Sequence, residues 1–105
     1  MESLKGYVCL ITELAPHGVR VNSINPGLVA TTIFRSNIGP KDSDDYTKLM
    51  DAEATVHPLG RIGLPVDCAR AVAFLASKAA SFTTGQIFFI DGGRHCVTAV
   101  NVGMQ

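Results

Sequence analysis

Residues 19–32, VRVNSINPGLVATT, decide how this chain is read. Val19, Val21 and Ile24 are β-branched and favour an extended, pleated backbone. Gly18 before them and Pro26-Gly27 after them bound a run of strand length. The stretch therefore predicts a buried strand that ends in a Pro-Gly turn. In an open α/β sheet, ligands sit in the crevice beyond the carboxyl ends of the strands, so Gly27 to Thr32 is the first place to look for chemistry.

Working outward, residues 2–15 carry Leu4, Tyr7, Val8, Ile11, Leu14 and Ala15 at the intervals of a helix with one buried face. Pro16 cannot continue that helix comfortably, and Gly18 can take the left-handed conformation that closes a helix end. Beyond the Pro-Gly turn, Gly39-Pro40 is followed by Asp42, Asp44 and Asp45, acids that suit a helix N-terminus. A helix over about 43–54 follows. Its apolar stripe is thin, which fits a cover over a site as well as it fits a plain surface helix.

Residues 57–64, HPLGRIGL, form a turn-rich connection. Pro65 then opens a helix over about 65–77, with Asp67 in its first turn and Cys68, Ala69, Val72, Leu75 and Ala76 on one apolar face. The apolar run Gln86 to Ile90, between Thr84-Gly85 and Asp91-Gly92-Gly93, predicts a second buried strand. Two strands separated by a long helical crossover should pair in parallel through a right-handed connection. The expected fold class is α/β: the C-terminal portion of a doubly wound Rossmann-type parallel sheet, as one partial domain over residues 1–105.

Composition narrows the function classes. A chain of 105 residues that is 47% hydrophobic can build one modest core. Nine basic against nine acidic residues give no net charge, so neither a nucleic-acid footprint nor an electrostatically held membrane surface is expected. No apolar run approaches the ~20 residues that span a bilayer, and the first residues lack the pattern of a secretory signal. Cys9, Cys68 and Cys96 are odd in number and widely spaced, and read as reduced thiols of an intracellular, most simply cytoplasmic, protein. Nothing in sequence beside them supplies the electropositive setting of a reactive thiol. His17, His57 and His95 lack metal-ligand spacing and read as surface or turn residues. No metal site is expected.

Taken together and in order, these segments resemble the C-terminal part of the short-chain dehydrogenase/reductase family. Glu13-Leu14-Ala15-Pro16, Gly18 to Asn22, Pro26-Gly27 and Thr31 look like that family's penultimate helix, strand and Pro-Gly loop. Pro58-Leu59-Gly60-Arg61 with Gly63 and Pro65, then Phe74-Leu75-Ala76-Ser77, Thr84-Gly85 and Asp91-Gly92-Gly93, extend the match over nearly the whole length. Leu64 departs from the acidic or polar residue common there.

The resemblance implies a cofactor, NAD or NADP, with Pro26, Gly27, Val29 and Thr31 as its contacts. The backbone at the position of Val29 would hold the nicotinamide carboxamide. The Pro26-Gly27 turn would let the ring approach, and the Thr31 hydroxyl would meet the diphosphate. Read without the flanking matches, Pro26-Gly27 is an ordinary strand-terminating turn. Residues 33–55 correspond to the family's variable substrate loop, so the sequence does not specify a substrate.

Hydride transfer in this family relies on a Tyr as acid or base, a Lys that lowers its pKa and a Ser that polarises the carbonyl. No Tyr-x-x-x-Lys occurs in this chain, since Tyr7 is followed at that interval by Ile11 and Tyr46 by Met50. No glycine-rich phosphate loop occurs either, and no catalytic residue is assigned. Counting back from Glu13-Leu14-Ala15-Pro16, the family's Lys would fall just before Met1.

The leading expectation is thus the C-terminal portion of an NAD(P)-dependent oxidoreductase similar to carbonyl or 3-oxoacyl-carrier-protein reductases, inactive as an isolated chain. The alternatives are a non-catalytic protein that pairs with full-length relatives, or an incomplete gene model whose coding sequence continues upstream. A strand with one bare edge is a template for association, which favours an oligomer or a full-length relative as partner.

Overall fold

The structure is a computed structural model that describes residues 10–33, 40 and 43–97. Residues 2–9 of the predicted N-terminal helix, with Cys9, and most of the stretch from 34 to 42 lie outside the described residues. Residues 10–14 are α-helical and tighten into the 3-10 turn Ala15–His17, with Pro16 inside it. Gly18 follows at φ 75°, and its N–H donates to the Ala15 carbonyl, so the helix stops where sequence places its end.

Strand β1 is Ser23–Pro26, four residues, and so begins later than the predicted run from Val19. The reason lies 60 residues away in the chain. The Arg20 guanidinium donates to the Thr83 and Ser77 carbonyls at 3.2 and 3.3 Å. The Val21 N–H donates to Thr84 Oγ1 at 3.0 Å, and the Gly85 N–H donates to the Val21 carbonyl at 2.7 Å. Asn22 grips the same loop twice, donating from Nδ2 to the Thr83 carbonyl at 3.0 Å and accepting from the Gln86 N–H at 3.1 Å. Residues 20–22 are thus held mainly by side chains, and regular ladder pairing begins only at Ser23.

Helix α1 is Asp44–Val56, capped by Ser43, whose hydroxyl accepts from the Tyr46 N–H at 3.2 Å, with Asp44 and Asp45 in the first turn. Tyr46 is only 7% exposed, so this helix is anchored by one aromatic despite its thin stripe. Helix α2 is Pro65–Ala76, with proline at its first position, and strand β2 is Ile87–Ile90. The two strands pair in parallel, Ser23 with Ile87 through Pro26 with Ile90, as the crossover requires.

Burial departs from expectation. Both strands were predicted to be buried, yet Ile87 and Phe89 are 47% and 48% exposed while Phe88 and Ile90 are half-buried. The alternation has a simple cause: α2 packs against the sheet, and alternate side chains of β2 point to its two faces. The core is correspondingly small. Among the described residues only Tyr46 and Ala80 are buried apolar residues, and no large side chain is fully enclosed.

The Ser23 and Gly27 N–H groups donate to the Gln86 and Ile90 carbonyls, so odd-numbered residues of β1 face β2. Ile24 and Pro26 therefore turn their backbone groups to the other edge, where no strand lies among the described residues. A proline is tolerated there because that edge loses only one N–H to it.

Asn22 supplies both an acceptor and a donor that no apolar side chain replaces. Asn22→Ala should lower unfolding free energy by roughly 1–3 kcal/mol, chiefly the cost of depriving the part-buried Thr83 carbonyl of its Asn22 donor, measured by urea denaturation. An unchanged midpoint would show that β1 does not depend on this clamp.

Candidate functional site

The carboxyl ends of β1 and β2 lie side by side, so the Pro26-Gly27 turn stands next to Asp91, Gly92 and Gly93. The Gly27 N–H donates to the Ile90 carbonyl at 3.1 Å, continuing the ladder by one step. A Cβ on Gly27 would sit 2.8 Å from Asp91 Cβ, 2.9 Å from Asp91 Cα and 3.2 Å from His57 Nε2. Two of those atoms are fixed by backbone. Glycine is therefore demanded here by the protein's own packing.

His57 departs from its expected place as a surface or turn histidine. It does occupy a turn, with the Gly60 N–H donating to its carbonyl at 2.7 Å, but it is only 3% exposed. Its Nδ1 lies 2.6 Å from the Glu53 carbonyl, an acceptor only, so Nδ1 carries a proton and a neutral ring holds its lone pair on Nε2. That Nε2 is buried without a hydrogen-bond partner among the described residues. The neighbouring Leu59 N–H donates to the Gly92 carbonyl at 3.1 Å, which ties this turn to the end of β2.

Val29 is positioned by a parallel bridge to Gly63. The Gly63 N–H donates to the Leu28 carbonyl at 2.8 Å, and the Ala30 N–H donates to the Gly63 carbonyl at 3.0 Å. In a parallel bridge those bonds belong to the residues flanking Val29, so the N–H and C=O of Val29 itself face away from Gly63. They make no hydrogen bond among the described residues. Thr31 follows, half-buried, its hydroxyl making no hydrogen bond among the described residues, just before the helical residues 32 and 33.

The segment that carries Gly63 is itself clamped. Arg61 makes a two-point contact with Asp67, Nη1 to Oδ2 at 2.9 Å and Nη2 to Oδ1 at 3.1 Å. Asp67 Oδ2 also accepts the Leu64 N–H at 2.7 Å, capping α2 from within its first turn. The hydrogen bonds from Arg61, then that from the Leu64 N–H, hold the Asp67 carboxyl at about 2, below its ordinary 3.8. At the end of β2, burial opposes ionisation of Asp91, but the His95 and Gly93 donors outweigh it and keep its pKa below the usual range.

Of the residues singled out in sequence, Pro26, Gly27 and Val29 thus lie at the carboxyl end of the sheet, and Thr31 follows on the same loop. Gly63, His57 and Asp91 complete the surroundings. Their role was not legible locally, because each acts on residues about 30 to 65 positions away. The Arg61–Asp67 pair had a partial signal in the acid of the first helical turn.

Residues 5–95 match the family described as enoyl-(acyl carrier protein) reductase. The chain belongs to the short-chain dehydrogenase/reductase family. It is 40% identical over 87 residues to the uncharacterized oxidoreductase YmfI of Bacillus subtilis, covering 83% of this chain and 33% of that relative. It is 38% identical over 82 residues to L-rhamnose 1-dehydrogenase (NAD(P)(+)) of Sphingomonas sp., covering 78% of this chain and 30% of that protein. Among solved structures, the ligand-free aldohexose dehydrogenase of Thermoplasma acidophilum superposes with a TM-score of 0.78 at 30% identity, over 93% of this chain and 39% of that one. The chain spans about a third of the length of the curated relatives it matches. These likenesses place the two parallel strands and flanking helices in a Rossmann-type α/β fold. Among the described residues, no helix is long and apolar enough to cross a membrane.

The pH response of the clamp follows from the lowered Asp67 value. A carboxyl that titrates lower when folded adds stability above its unfolded pKa and loses it as pH falls. Asp67 should therefore contribute fully above about 3.8 and lose that contribution as the pH falls toward about 2. Thermal melts of the wild type and Asp67→Asn at low salt should differ at pH 6 and converge toward pH 2. Parallel curves over that range would remove the clamp from the account.

Proposed function

We propose that this chain is one partial domain over residues 1–105, the nicotinamide-side wall of an NAD(P)-dependent oxidoreductase similar to carbonyl or 3-oxoacyl reductases. The observation that carries the reading is the bridge to Gly63, which leaves the Val29 N–H and C=O facing away from it and without a hydrogen bond among the described residues. A carboxamide has one acceptor oxygen and an NH2 donor, the complement of that pair. Val29 would donate to the oxygen and accept from the NH2, fixing which face of the ring is presented.

Pro26-Gly27 sets the direction in which the loop leaves the sheet, and the Thr31 hydroxyl would donate to the diphosphate. The name of the Sphingomonas relative, an NAD(P)(+) dehydrogenase, supports this choice of cofactor. When bound, the nicotinamide supplies or accepts the hydride. The chain's own groups orient it and exclude water from one side. The phosphate cradle and the Tyr-x-x-x-Lys pair would have to come from polypeptide outside these 105 residues, which leaves the isolated chain inactive.

A second reading has its own support. The open edge of β1 and the exposed Ile87 and Phe89 suit a chain that associates with a full-length relative. In that case co-expression with such a relative gives a co-eluting complex on size exclusion; separate elution removes this reading.

The cofactor reading is tested by fluorescence titration with NADPH and NADH. The isolated chain should show no submillimolar binding, and submillimolar binding would mean that the phosphate loop is dispensable. In a chimera joining this chain to a relative's glycine-rich loop and Tyr-x-x-x-Lys segment, Val29→Pro should weaken cofactor binding about tenfold, the worth of one hydrogen bond, with circular dichroism unchanged. Unaltered affinity would dismiss the Val29 backbone as a contact.

A further inference from the structure

The 3-10 turn Arg94–Cys96, which follows β2, places three side chains in series. The Asp91 carboxylate, 7% exposed, accepts from His95 Nδ1 at 2.7 Å, and also from the His95 and Gly93 N–H groups at 2.9 and 3.1 Å. Asp91 is thus fixed by backbone, and with it the imidazole. Since Nδ1 donates to a carboxylate, a neutral His95 carries its lone pair on Nε2. Cys96 Sγ stands 3.6 Å from that nitrogen and is exposed. The Phe89 ring stacks on the imidazole with centroids 3.9 Å apart and planes 16° off parallel, which restrains its tilt. A thiol, a base with its lone pair toward the sulfur and an orienting carboxylate make the arrangement of an activated nucleophile.

We infer that Cys96 is a nucleophilic modification site whose base is His95 and whose positioning residue is Asp91, open to small conjugated carbonyl compounds. Cys68 provides the contrast, because it is half-buried in α2 and its thiol makes no hydrogen bond among the described residues. The charged groups that share the clefts beside His95 are Asp91, Arg94 and the mutually paired Arg61 and Asp67. No carboxylate among them other than Asp91 is placed on the imidazole.

The reaction needs no oxidant and no second reactant. Nε2 takes the thiol proton as Sγ bonds to the β-carbon. The C=C π bond breaks and its electron pair moves onto the carbonyl oxygen. The proton then passes from Nε2 to the α-carbon. The net change is addition of S–H across the double bond. This inference uses none of the groups assigned to the cofactor, so it stands or falls independently of the proposed function.

The test is the rate at which the full chain takes up acrylamide at pH 7, followed by peptide mass spectrometry at Cys96 and Cys68, with glutathione as the reference thiol. Cys96 should react about tenfold faster than glutathione, the gain expected of a thiol with a base beside it, and Cys68 more slowly. His95→Gln and Asp91→Asn should bring Cys96 down to the glutathione rate. At about pH 10, where an ordinary thiol ionises unaided, wild type and His95→Gln should converge. A wild-type Cys96 no faster than glutathione overturns the site, a result that needs no variant to fold. A His95→Gln rate that stays fast at pH 7, or stays slow at pH 10, overturns the role of His95 as base.

Discussion

The candidate site depends on one constraint, the parallel bridge that locks Leu28 and Ala30 to Gly63. A loop leaving the end of a strand has many conformations, and fixing each of its residues costs roughly 1–2 kcal/mol in backbone entropy. Two short backbone hydrogen bonds, to a residue that the Arg61–Asp67 clamp holds just before α2, take up part of that cost. The geometry of the bridge then dictates which groups of Val29 are left over. The side chain of Val29 is incidental to this; the peptide direction does the selecting.

The same loop is held from behind by contacts of a different kind. Gly27 lies so close to Asp91 that a methyl group would overlap it, and it would also crowd His57, so the turn packs directly on the end of β2. Asp91 links that unit to the last described turn through its bonds to Gly93 and His95. Just before β1, Arg20, Val21 and Asn22 clasp the loop over residues 83–86. A thin core is compatible with definite geometry because directional bonds between distant segments fix the strand ends. Apolar burial among the described residues contributes less, with both exposed β2 side chains nearly half open.

Local sequence features were read correctly wherever the physics was local. Pro16 with Gly18 ends the first helix, Asp44 and Asp45 lie in the first turn of α1, and Pro65 opens α2. Parallel pairing followed from the helical crossover between the strands. What the sequence concealed depends on partners far along the chain. The strand begins at Ser23, though its β-branched run starts at Val19, because side chains bind residues 20–22 to a loop more than 55 positions on. His57 was placed in a turn but not in the interior, since its burial comes from Gly27 and the end of β2. The surroundings of Cys96 were missed for a subtler reason: His95 is adjacent in sequence, but only the tight turn after Gly93 brings its ring nitrogen to the sulfur and its other nitrogen to Asp91. The family resemblance supplied roles for Pro26, Gly27, Val29 and Thr31 that residue patterns alone left open.

The central claim, that the bridge to Gly63 leaves the Val29 backbone free for a ligand, is tested most directly by amide hydrogen exchange resolved residue by residue. The Gly63 and Ala30 amides, both bonded within the bridge, should be protected, while the Val29 amide exchanges at least about tenfold faster under the same conditions. A Val29 amide as protected as its two neighbours would mean that its N–H already has a partner in the protein, and the account of the site would be wrong.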